Sequence, residues 1–240
     1  MMDRAKIRLF VDAPLGKGQS VDLSRDQAHY LFGVMRLKAG GRVALFNGQA
    51  GEWTAEVVDA GKRGGRLTCI GQAAPQLDPP DLWLMFAPIK KARTDFIVEK
   101  ATEMGAARIV PILTAFTNSD RVRVDRLQAH AVEAAEQCGG TFVPQVAEPV
   151  ALDRLLADWP EDRQIMFCDE ALAGAGKPLG AKGGKWAILI GPEGGFSDRE
   201  RAAIRAMPAA HPVSLGPRIL RADTAAVAAL ALWQSTLGDW

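Results

Sequence analysis

The chain has little cysteine and no long apolar run, and each shortage removes a class of protein. Cys69, Cys138 and Cys168 are odd in number, widely spaced and form no Cys-x-x-Cys pair. This excludes a disulfide framework and a zinc ribbon, and it fits buried apolar roles in a reducing cytoplasm. No His/Cys/carboxylate cluster has ligand spacing, so no metal is expected. No run approaches the roughly 18–20 apolar residues that span a bilayer, so no membrane association is expected. Met1-Met2-Asp3-Arg4-Ala5-Lys6 leads into a short alternating segment, not into the apolar stretch of a secretory leader.

What is present is the composition of a globular protein, 48% hydrophobic and 24% charged, over 240 residues. That is enough for one large domain or two modest ones. The net charge of +1 hides an asymmetry. Residues 1–75 carry 11 Lys and Arg against 7 Asp and Glu, whereas the remainder carries 18 against 21. A basic amino-terminal third is a phosphate-binding footprint or, equally, scatter in a small sample. The change of composition comes at 73–81, where Pro75, Pro79 and Pro80 favour an extended connection. The expected domains are therefore 1–74 and 81–240.

The two parts have different rhythms. In the first, Ile7, Leu9 and Val11 alternate with polar or solvent-side neighbours, and Val43–Phe46 runs into the turn signal Asn47-Gly48. Trp53–Val58 and Leu67–Ile70 continue the strand pattern, so a small β-barrel with one helix near Asp26–Met35 is expected. In the second, strands alternate with helices, as in a parallel sheet with crossovers. The expected strands are Leu82–Ala87, Ile109–Leu113, Ile165–Cys168, Trp186–Ile190 and Val213–Leu215. The expected helices are Thr94–Met104, Asp125–Cys138, one opened by the Ser197/Glu200 capping box, and Thr224–Thr236. Gly174–Gly184 is expected to be a mobile surface loop.

Two loops follow strands and open helices, where ligands sit in open α/β sheets. Gly191-Pro192-Glu193-Gly194-Gly195 places three glycines in five positions, allowing close backbone approach. Leu215-Gly216-Pro217-Arg218-Ile219-Leu220-Arg221-Ala222-Asp223-Thr224 combines a glycine turn, two arginines, apolar side chains and an Asp placed to cap the last helix. Neither loop fits a P-loop or a dinucleotide fingerprint, and Gly16-Lys17-Gly18 lacks the third glycine.

Ile190–Ser197 and Leu215–Ala225 strongly resemble the corresponding blocks of the RsmE family, which methylates uracil N3 in 16S ribosomal RNA. Lys90–Gly105 resembles the family's basic helix. Glu136-Gln137-Cys138-Gly139 with Pro144, and His29-Tyr30-Leu31 with Val34-Met35-Arg36, resemble further blocks. The resemblance implies an α/β SPOUT methyltransferase domain with a carboxyl-terminal trefoil knot, preceded by a PUA-like RNA-binding domain. It implies S-adenosylmethionine (SAM) bound bent in the knot, a homodimer, and 16S RNA as partner within the small ribosomal subunit. Three positions depart from the pattern. Ala115-Phe116-Thr117 stands where an arginine-containing triplet is usual, Gly140 replaces an arginine, and Asp223 replaces a glutamate.

On this reading Ile190, Gly191, Pro192, Glu193, Gly194, Gly195, Leu215, Gly216, Ile219, Leu220, Thr224 and Ala225 hold the cofactor. Arg221, then Arg218, are the candidates for stabilising charge on the uracil oxygens. Asp223 and Glu136 are candidates for the base, though a cap and a solvated helix face explain them as well. Arg8, His29, Arg36, Lys90, Arg93 and Lys100 are expected on RNA phosphates. A ribose 2′-O-methyltransferase and a catalytically silent RNA-binding assembly factor are the alternatives.

Overall fold

The computed structural model of the chain describes residues 5–61, 63–118, 121–172 and 183–240. It divides into two compact units, one reaching to Asp78 and including Ala135–Val143, the other comprising Pro79–Ala134 and Pro144–Trp240. The segment Ala135–Val143 joins the first unit although it lies far beyond the proline-rich connection.

In the first unit the alternating residues form β1 (Arg8–Phe10), β2 (Ser20–Asp22), β3 (Arg42–Phe46), β4 (Glu52–Ala60) and β5 (Gly65–Ala74). Their order is β1-β3-β4-β5-β2, with β1 parallel to β3 and the other neighbours antiparallel. Because side chains alternate across a sheet, the register pairs Leu9 with Leu45, Val43 with Ala55 and Val57 with Leu67 inside one buried core with Val21 and Leu31. β1 and β2 do not pair, so among the described residues this is an open sheet where a barrel was expected. Asn47-Gly48 opens a loop of residues 47–51 between β3 and β4 in place of a two-residue turn, and the Asn47 side chain accepts from the Gln49 and Ala50 N–H groups. The expected single helix is a short α1 (Arg25–Ala28), capped by Ser24 and Gln27, running into a π-helical turn at His29–Val34.

The second unit holds a sheet whose pairings are all parallel. Its elements are β6 (Leu82–Phe86), α2 (Lys91–Glu103), β7 (Arg108–Leu113), α3 (Val124–Cys138), β8 (Gln145–Val146), β9 (Val150–Ala151) and α4 (Leu152–Ala157). They continue with β10 (Arg163–Cys168), β11 (Lys185–Ile190), α5 (Asp198–Arg205), β12 (Ala210–Val213) and α6 (Ala222–Leu237). The order is β12-β10-β11-β6-β7-β8, with β9 also on β7. From Trp186 to Ile190, β11 is buried on both faces, which explains its unbroken apolar run. The last turn of α3 belongs with the first unit.

Two sequence expectations shift here. The last strand is Ala210–Val213, so Ser214 and Leu215 lie in the loop beyond it. Arg221, not Asp223, occupies the N-cap of α6, without a side-chain hydrogen bond. The Gly174–Gly184 segment lies outside the described residues except for Gly183 and Gly184. No helix among the described residues is long and apolar enough to cross a membrane.

Candidate active site

β10, β11 and β12 are neighbours, and the chain leaving their carboxyl ends encloses a cavity of about 210 Å³. The loop after β11 contributes Gly191, Pro192, Glu193 and Gly195, below Ile190. The loop before α6 contributes Leu215, Gly216, Arg218, Ile219, Leu220 and Arg221, and Ala225 follows from the first turn of α6. Two loops about 25 residues apart in sequence thus share one site because their strands flank β10.

Glycine is required at two of these positions. Gly195 has φ +70°, and a Cβ there would stand 2.2 Å from Glu170 Oε1. Gly216 has φ +116°, and its missing Cβ would meet no protein atom within 4 Å, so bare backbone faces the cavity. Ile219 is 77% exposed, an apolar surface offered to a ligand.

Sequence reasoning missed the end of β10. Cys168, Asp169 and Glu170 form the cavity's third wall. The Asp169 side chain is wholly buried and accepts from Arg201 Nε at 3.1 Å and from Arg205, while Glu170 pairs with Arg201. Arg201 and Arg205 are one turn apart on α5, whose start is fixed by the Ser197/Glu200 capping box. A helix named from its cap therefore anchors a wall that was not named. Burial pushes the Cys168 thiol well above its ordinary pKa, so it packs as an inert apolar group. The usable signal was the strand end itself, next to β11.

A second cluster ties the two loops together. Arg93, in the first turn of α2, lies 3.1 Å from Glu193 and 3.6 Å from Asp223. Arg93 is thus committed to carboxylates, not standing free for phosphate. Asp223 does not line the cavity; its carboxylate faces Arg93 and accepts from the Thr224 N–H. Gly194 and Thr224 are also off the lining, and a Cβ on Gly194 would meet Phe116 at 3.2 Å. By contrast, Arg218 and Arg221 are exposed at the cavity and make no ion pair with a described residue.

Residues 76–234 match the RNA methyltransferase domain family, and residues 23–68 match the RNA methyltransferase PUA domain. A small subunit ribosomal RNA methyltransferase E of Synechocystis is 31% identical over 88% of this chain and 72% of its own length. The chain belongs to the RsmE family. Its relative of that name in Rickettsia conorii is 28% identical, with 93% of each chain covered. A Neisseria gonorrhoeae RsmE crystal structure, bound to SAM, has a TM-score of 0.89 at 26% identity and covers 98% of this chain and 99% of its own.

Within this RsmE-family chain, the remaining expected RNA contacts separate by unit. Arg8 is a correction. Its guanidinium bonds Glu52 at 2.7 Å and the carbonyls of Ala135, Glu136 and Gly140 at 2.6–2.9 Å, and it lies 4.5 Å from the Phe46 ring centre. It caps the carboxyl end of α3, where carbonyls lack helical partners and the dipole favours a cation. Glu136 is likewise occupied in the first unit, accepting from the Phe10 N–H at 2.8 Å, so it is no base for the cavity. His29 and Arg36 are exposed, and Arg25, Asp26 and Arg63 share a shallow depression with His29. In the second unit Lys90 is the exposed N-cap of α2, and Lys100 pairs with Glu103 at 2.6 Å.

Proposed function

We propose that this chain transfers a methyl group from SAM to N3 of a specific uridine in the 16S ribosomal RNA of the small subunit. The observation that carries the reading is the cavity beyond β10, β11 and β12, with Arg218 and Arg221 beside it, neither in an ion pair with a described residue. The residues fit SAM. Gly216 and Gly195 present backbone without a Cβ, Ile219 and Leu220 offer apolar walls, and Glu193 and Glu170 suit a ligand with a positive sulfonium and an amino group. Bound there, SAM supplies an electrophilic methyl carbon. SAM in the Neisseria relative supports the assignment.

The chain's own groups do the rest by position and charge. Uracil N3 must lose its proton before its lone pair can attack, and the resulting charge spreads onto the two ring oxygens. A guanidinium donating to one of those oxygens favours the deprotonated ring and persists into the transition state. Arg221 is assigned this role, and Arg218 holds the neighbouring phosphate or the second oxygen. With Asp223 and Glu136 occupied elsewhere, we assign no side chain as base, and the proton passes to water.

The finer architecture belongs to the same proposal. Residues 1–74, PUA-like and basic, supply RNA affinity, while 81–240 form the methyltransferase domain with its carboxyl-terminal segment threaded as a trefoil knot. The work takes place in the cytoplasm. The active unit is a homodimer. α6 buries Ala226, Ala229, Leu230 and Trp233 but leaves Val227, Ala228, Ala231 and Leu232 half-covered, an apolar face suited to a second copy. Light scattering at micromolar concentration is expected to read about twice the 25.8 kDa chain mass, and a fully active monomer contradicts the dimer. The reaction itself is tested by the identity of the modified nucleoside. 3-Methyluridine is expected, and 2′-O-methyluridine contradicts it.

A further inference from the structure

A second cavity in the methyltransferase unit, of about 320 Å³, is lined by Lys91, Arg121, Arg123 and Arg126 together with Thr94 and Pro88. Among the described residues no carboxylate lines it. Arg123 and Arg126 are paired just outside, with Asp125 and Asp95. The hydrogen bond from Arg123 holds the Asp125 carboxyl down to about 2, so that pair stays ionic at any working pH. Lys91 and Arg121 form no ion pair with a described residue. Arg126 Nε is buried without a hydrogen-bond partner among the described residues.

The cavity is also where two long helices begin. Lys91 and Thr94 belong to the first turn of α2, and Arg126 and Leu127 to that of α3. No side chain caps α2, so its first N–H groups and its positive dipole end add to the field of the cations. The same turn of α2 carries Arg93, which is tied to Glu193 and Asp223 at the cofactor cavity. One turn of helix, about 5.4 Å of rise, therefore serves both cavities.

We infer that this second cavity seats a backbone phosphate of the RNA strand being methylated, next to the target nucleotide. The inference rests on the proposed RNA methyl transfer. A phosphodiester matches the chemistry, since forked guanidiniums and helix N-termini bind its anionic oxygens, and four cationic side chains around one cavity suit an extended polyanion. The position sets the strand's register beside the cofactor without reading a base.

The test is the double variant Lys91→Glu/Arg121→Glu, with the single charge reversal Arg154→Glu, at an exposed position of α4, as a control away from the cavity. The double variant is expected to raise the KM for 16S RNA at least about tenfold, with SAM Kd and kcat within about twofold. In filter binding, the slope of log affinity against log salt is expected to flatten by about 0.7–0.9, the value of one lost phosphate contact. Arg154→Glu should change neither. Wild-type KM and slope in the double variant, or an equal loss in the control, overturns the inference. So does inhibition by inorganic phosphate alone with the RNA slope unchanged, which assigns the cavity to a small anion. If the Glu pair also weakens SAM, Lys91→Gln/Arg121→Gln must still separate KM from SAM Kd, and failure to do so overturns it. A wild-type chain that methylates no RNA refutes the proposed function instead, and the salt slope still decides this site.

Discussion

Arg221→Ala is expected to lower kcat for RNA methylation by about a hundredfold or more while leaving SAM Kd within about threefold. Removing one preorganised donor to a developing oxyanion typically costs 10²–10³ in rate, about 2.7–4 kcal/mol. The structure makes the split readable. Arg221 is an exposed N-cap residue with no side-chain cap bond and no ion pair to a described residue, so its loss disturbs neither α6 nor the loop backbone. Arg221→Lys keeps the charge but loses the planar fork, and only partial recovery is expected. Single-turnover methyl transfer with saturating SAM, alongside calorimetry, measures both quantities. An unchanged kcat removes Arg221 from the chemistry and transfers the role to Arg218.

Gly195→Val is expected to weaken SAM binding by more than about a hundredfold. The left-handed φ of +70° strains any β-branched residue, at about 1–3 kcal/mol. In addition, the new Cβ would lie 2.2 Å from Glu170 Oε1, forcing apart the Glu170–Arg201 pair that shapes the wall. Gly194→Val is the contrast. Gly194 is exposed, off the lining, and its Cβ would press only on the Phe116 side chain at 3.2 Å, so a loss of about tenfold or less is expected. Calorimetry on the two folded variants separates them. A larger loss at Gly194 than at Gly195 would show that the wall has been misplaced.

How much of this was legible depends on whether a feature is local. Trp186–Ile190 is an unbroken apolar run ended by glycines, and Ser197/Glu200 is a four-residue cap, so both could be read from neighbouring letters. The loop Leu215–Ala225 could be read by family resemblance, yet the strand before it was displaced because Val213-Ser214-Leu215 is apolar enough to pass for one. β2, β8 and β9 have two or three residues each, too few to show a period. Asp169 was invisible because its arginine partners lie 32 and 36 residues away. Arg8 was misread for the same reason, since the helix end it caps is 127 residues distant.

The most direct test of the account is to identify the nucleoside that the purified chain makes. Small ribosomal subunits and free 16S RNA, from cells lacking the protein, would be incubated with methyl-labelled SAM, digested to nucleosides and analysed by mass. The account predicts label in 3-methyluridine, mapped to one position by a reverse-transcription stop, and nearly absent with Arg221→Ala. Label in 2′-O-methyluridine, or no label while SAM and RNA both bind, would contradict it.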